Sequence, residues 1–68
     1  MHINRLVEQF LTETGLAPTR FGRLAVRDPR LIFDMRNGRE IGEQMAARLR
    51  TFMDEYRILQ YEAQRIAA

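Results

Sequence analysis

The side chains equipped for chemistry in this chain are arginines, and they are concentrated. Arg20, Arg23, Arg27, Arg30, Arg36 and Arg39 fall within residues 19–39 against only Asp28 and Asp34, a local net charge of +4. The whole chain is only +2, and the segments on either side are slightly acidic. All eleven basic residues are arginine. A guanidinium is a planar fork of donors that matches guanine or a phosphate two bonds at a time, so such a cluster points to nucleic acid. The bland alternative is a solvated basic face whose arginines reflect only genome base composition.

Catalysis needs converging groups, and the sequence offers none. His2 is the only histidine and stands beside the terminus, a poor place for a metal ligand or an acid–base group. Asp54 and Glu55 are neighbours in a helical stretch and do not share a face. Gly22, Gly38 and Gly42 are spaced as helix contacts and ends, not as a loop that cradles phosphate. The absence of cysteine excludes a disulfide framework and thiolate chemistry. The expectation is a non-enzyme with no cofactor, no metal and no small-molecule ligand.

The elements that position the arginines are short helices. The stretch Ala17 to Gly38 reads as two helices joined by a tight turn, the first from about Pro18 to Val26 and the second from Pro29 to about Arg36. Proline suits a first helical position, where its missing N–H is unpaired anyway. Asp28, just before Pro29, can accept from the next free backbone N–H groups, and Gly38 after Asn37 supplies the positive φ that ends the second helix. Phe21, Leu24 and Ala25 form the inward stripe of the first helix, leaving Thr19, Arg20, Arg23 and Arg27 outside. Gly22, costly within a helix, marks close approach of the other helix. Leu31, Ile32 and Met35 make the inward face of the second helix; Arg30, Phe33, Asp34 and Asn37 share another face. Phe33 is either core in a rotated helix or an exposed ring for a thymine methyl or a protein partner.

Before this pair, Ile3, Leu6, Val7, Phe10 and Leu11 follow the spacing of a helix with one buried stripe, capped by Asn4 or His2 and closed by Gly15. After it, residues 42–66 contain no Pro or Gly beyond Gly42 and favour helix. Met45, Leu49, Phe52, Tyr56, Leu59, Ala63 and Ile66 alternate by four and three, a heptad seam. A continuous helix here is about 37 Å long at 1.5 Å per residue, more than so small a domain covers. Met45, Leu49, Phe52 and Met53 close the core, while the half with Tyr56, Ile58, Leu59, Tyr61 and Ile66 either projects for self-pairing or folds back at a kink near Asp54–Tyr56. The chain thus reads as one all-α domain, residues 1–68, a bundle of four to five helices with a long C-terminal helix. No run is apolar enough for a membrane span and no leader pattern precedes the first helix, so the expected location is cytoplasmic.

Gly15 to Gly38 resembles, without a gap, the helix-turn-helix of the phage lambda repressor and Cro-type family. Gly15-Leu16 matches the pair that ends the first helix, Phe21-Gly22 the hydrophobic-then-small pair, Ile32 and Met35 the inward positions of the recognition helix, and Asn37-Gly38 its end. The chain departs from the pattern at Pro18, at Val26-Arg27 in the turn and at Pro29, where a polar residue usually leads the recognition helix. The resemblance implies a recognition helix entering the major groove of double-stranded DNA. Arg30 is then the base-reading residue for guanine, and Arg27 reads a base or a phosphate. Phe33 faces the bases, and Asp34 either accepts from a cytosine amino group or orients Arg30. Thr19, Arg20, Asn37 and Arg39 contact phosphate, with Arg23 and Arg36 at the periphery of that contact. The function so implied is a small sequence-specific repressor of the kind encoded by phages and mobile elements. It is a homodimer through Phe52, Tyr56, Leu59, Ala63 and Ile66, on a palindromic operator. The rival expectation is a protein-interaction module on the same scaffold, of antiactivator or antitoxin type, favoured by Pro29, Phe33 and the apolar tail.

Overall fold

The apolar stripe Ile3, Val7, Phe10 and Leu11 forms the buried side of helix α1 (Ile3–Thr14), with Leu6 partly covered beside it. The computed structural model describes residues 2–67, with side chains as far as Arg65. Of the two expected caps His2 fills the position: its Nδ1 accepts from the Asn4 N–H at 3.2 Å. Gly15 closes the helix at φ +71°, its N–H donating to the Leu11 carbonyl at 2.9 Å.

Helix α2 (Pro18–Val26) has the expected bounds, but its buried arc is rotated. Phe21 and Gly22 are buried and Ala25 and Val26 are partly so, whereas Leu24 is 50% exposed. At about 100° per residue, Phe21, Ala25, Gly22 and Val26 span one arc and Leu24 falls outside it. The absent side chain at Gly22 draws that side of the helix inward. A Cβ there would collide with the Asp28 carbonyl oxygen and stand 3.3 Å from the Leu31 Cβ. The close approach inferred from Gly22 is therefore to the connection and the start of the next helix.

Helix α3 runs over Leu31–Arg36, two residues later than the Pro29 start expected from the sequence. Asp28 explains the delay. Its carboxylate accepts from the Arg30 N–H at 3.1 Å and its carbonyl from the Leu31 N–H at 3.2 Å, so residues 28–30 close a turn and Pro29 lies within it. Leu31, Ile32 and Met35 are buried as the spacing requires. At the far end Gly38 takes φ +100°, its N–H donates to Met35 and the Arg39 N–H donates to Asp34, a double closure that satisfies the last carbonyls.

Helix α4 (Glu43–Ala67) is one unbroken helix, so no kink occurs at Asp54–Tyr56 and the described residues form four helices and no strand. Ala46, Leu49 and Met53 are buried, and Phe52 and Tyr56 pack partly against the core. Phe10, Phe21, Phe52 and Tyr56 form an aromatic cluster joining α1, α2 and α4. Edge-to-face contacts bring Phe10 to Phe21 at 5.6 Å, Phe21 to Phe52 at 5.3 Å and Phe10 to Tyr56 at 5.4 Å. Arg57 still pairs with Glu13 of α1 at 3.3 Å, and from Ile58 to Arg65 every side chain of the helix is exposed, in a fold with extents of 41 × 21 × 20 Å. No helix among the described residues is long and apolar enough to cross a membrane.

Candidate nucleic-acid interface

The six arginines of residues 19–39 divide into two groups. Arg36 and Arg39 are held by carboxylates. Arg36, at the end of α3, forms a two-bond pair with Glu8 of α1, Nε to Oε2 at 2.7 Å and Nη2 to Oε1 at 2.8 Å. Those bonds hold the Glu8 carboxyl below its usual range and raise Arg36 further above its own. Arg39 reaches back over α3, 3.1 Å from Asp28 and 3.3 Å from Asp34. Asp34 is thus engaged by Arg39, and the expected orientation of Arg30 by Asp34 is not what the structure shows.

Arg20, Arg23, Arg27 and Arg30 form the second group. All four are exposed, and among the described residues none of their guanidinium groups has a carboxylate within 4 Å. Arg20 and Arg23 stand at i and i+3 on the side of α2 opposite its buried arc, about 4.5 Å apart along the axis, and Arg27 follows at the left-handed C-cap. Like charges so spaced repel, each close pair costing about 0.2–0.5 kcal/mol in the free protein. Arg23 recovers part of that cost from the negative end of the helix dipole. Thr19 is half-buried at the start of this row and Asn37 is exposed at its far side, beyond α3.

Arg27 is the one described non-glycine residue with positive φ, at +59°. Its N–H donates to the Arg23 and Gly22 carbonyls, which ends α2 and turns the chain toward α3. Phe33 is 45% exposed, so the core alternative for this ring is excluded, and the Arg36 guanidinium carbon stands 5.9 Å from its centroid. Within residues 19–39 the unpaired cations thus lie on α2 and the connection, while the six-residue α3 presents a ring and a neutralised acid; Arg5, Arg48, Arg50 and Arg65 are likewise exposed with no carboxylate within 4 Å among the described residues.

The proposed seam of α4 also divides. Phe52 and Tyr56 are engaged in the aromatic cluster of their own domain. Leu59 is 68% exposed, and Ile58, Tyr61 and Ala63 are exposed with it; the Ile66 side chain lies outside the described ones. Sequence reasoning missed Leu24, which lines a shallow groove with Ala25, Ala47, Arg48, Thr51, Phe52 and Glu55. Its signal was present in Gly22, which rotates the helix. No group of three or more His, Asp or Glu able to hold a metal occurs among the described residues. The chain matches no protein family, no curated protein and no solved structure.

Proposed function

We propose that this chain is a sequence-specific DNA-binding regulator, a small repressor acting as a homodimer on a palindromic operator. In this reading α2, the connection and α3 act as a helix-turn-helix. The observation that carries it is the set Arg20, Arg23, Arg27 and Arg30, exposed and unpaired along α2 and its connection. Four desolvation-ready forks with no internal partner suit the regular phosphates of a duplex. The core anchors of α3 and the close approach at Gly22 fix where Arg30 and Phe33 stand relative to α2. Arg30 and Phe33 serve as the base-facing pair, the ring meeting a thymine methyl. Arg39 and Asp34, already paired, support the geometry and contact DNA only at its edge. The chain acts as a binder without catalysis, in the compartment that holds the DNA.

The test is selection from random duplexes followed by fluorescence anisotropy on the enriched sequence and a scrambled control at about 150 mM salt. The expected preference is roughly 1,000-fold or more, and it falls for Arg30→Ala. Equal, weak and steeply salt-dependent binding to both duplexes overturns the sequence-specific reading.

A second reading, a protein-interaction module, draws on the exposure of Phe33 and Leu24. It predicts a partner whose binding is lost on Phe33→Ala and kept when Arg20 and Arg23 are both changed to Glu. The regulator shows the opposite dependence on the double charge reversal.

A further inference from the structure

Arg27 stands where its own residue type is unfavourable. At φ +59° its Cβ crowds the following carbonyl, a conformation that glycine adopts freely and long side chains rarely adopt. The backbone bonds that lock it there, from its N–H to Arg23 and Gly22, need no side chain. The side chain is exposed, with no hydrogen bond and no carboxylate among the described residues. It also adds a third like charge after Arg20 and Arg23. In the free protein, therefore, this guanidinium contributes no hydrogen bond or ion pair that glycine would lack, and its placement works against stability.

We propose that Arg27 is a backbone clamp for a nucleic-acid strand, gripping phosphodiester oxygens and not a base. This deepens the DNA reading above and rests on it. The position supports phosphate: Arg27 directly follows α2, the helix that carries Arg20 and Arg23 and that crosses the strand when the following helix sits in the groove. The left-handed corner holds its Cα rigidly between α2 and the turn that leads to Arg30. A fixed corner between two flanking cations suits a register-setting contact, with Arg23 one helical turn before it and Arg30 three residues after.

The experiment compares wild type, Arg27→Gly and Arg27→Lys by thermal unfolding and by anisotropy across a salt series, on the selected duplex and its scrambled control. Arg27→Gly is expected to melt at or above the wild-type temperature, so weaker binding cannot come from misfolding. It should lose roughly threefold or more in affinity on both duplexes alike, with the log–log salt slope shallower by about 0.9. Arg27→Lys, which keeps the charge, should retain most of the slope. A loss confined to the selected duplex makes Arg27 a base reader and overturns the proposal, as does unchanged affinity in Arg27→Gly. Both results leave the DNA reading standing. Failure of wild type to bind either duplex overturns the DNA reading and the clamp with it.

Discussion

Alanine in place of Gly22 reverses the sign expected for such a change in a helix. In an exposed helix interior Gly→Ala stabilises by about 0.8–1.0 kcal/mol, because alanine loses less backbone freedom on folding. Here the new Cβ collides with the Asp28 carbonyl oxygen and stands 3.2 Å from its carbonyl carbon and 3.3 Å from the Leu31 Cβ. Two of these three neighbours are backbone, so rotamer change cannot relieve the clash; the connection itself must move. Such overpacking costs about 1–3 kcal/mol. The Asp28 N–H bond to the Gly22 carbonyl, 3.0 Å, is strained by the same movement and adds about 0.5–1.5 kcal/mol. The net is a loss of roughly 1–3 kcal/mol, against a total stability of about 3–10 kcal/mol for a chain of this length. In a domain this small that lowers Tm by about 5–20 °C. Thermal and urea unfolding followed by helical circular dichroism measure it. A Tm equal to or above wild type refutes the claim that α2 and the connection are held in close contact at Gly22.

Further outcomes follow from other contacts. Leu49 is fully buried among the helices, and Leu49→Ala should cost about 2–5 kcal/mol, leaving little folded protein at 37 °C by circular dichroism. Glu8 has a lowered carboxyl pKa because Arg36 bonds its charged form, so the pair stabilises the fold above the ordinary carboxylate value of about 4.5. Its contribution disappears as pH falls through the lowered folded value. The wild-type Tm should therefore exceed that of Glu8→Gln at pH 7 and converge on it in strong acid; a constant gap contradicts the pairing. Leu59 and Ile58 are exposed on the free half of α4, so Leu59→Glu with Ile58→Glu should leave the monomer's Tm unchanged. In sedimentation the wild type should run as the proposed dimer and the double variant as a monomer, and a wild type that is already monomeric at high micromolar concentration contradicts pairing through α4.

Much of the scaffold was legible because local chemistry decides it. Gly15 and Gly38 mark the helix ends they were read to mark, Pro18 opens α2, and the stripes of α1 and α3 are buried where the spacing places them. Leu24 misled because the 3.6-residue period admits two adjacent arcs, and only the contact at Gly22 chooses between them. The late start of α3 arises from Asp28, whose carboxylate and carbonyl both spend their bonds on a turn before the helix forms. The pairing of Arg36 was beyond any local reading: Glu8 lies 28 positions away, and only the tertiary fold brings the two within reach. A heptad seam on α4 does not say whether it faces its own domain or a partner. Phe52 and Tyr56 complete the aromatic cluster and Arg57 pairs with Glu13 of α1, so the free stretch begins at Ile58.

Duplex DNA is proposed to seat on the face built by α2 and its connection. Amide and arginine side-chain NMR spectra of the isotope-labelled chain, titrated with the selected duplex, test it at residue resolution. Saturable shifts are expected at Thr19, Arg20, Arg23, Arg27, Arg30 and Phe33, with the distal half of α4 unmoved at constant oligomeric state. Shifts confined to Leu24, Leu59 and Tyr61, or none at all, would contradict it.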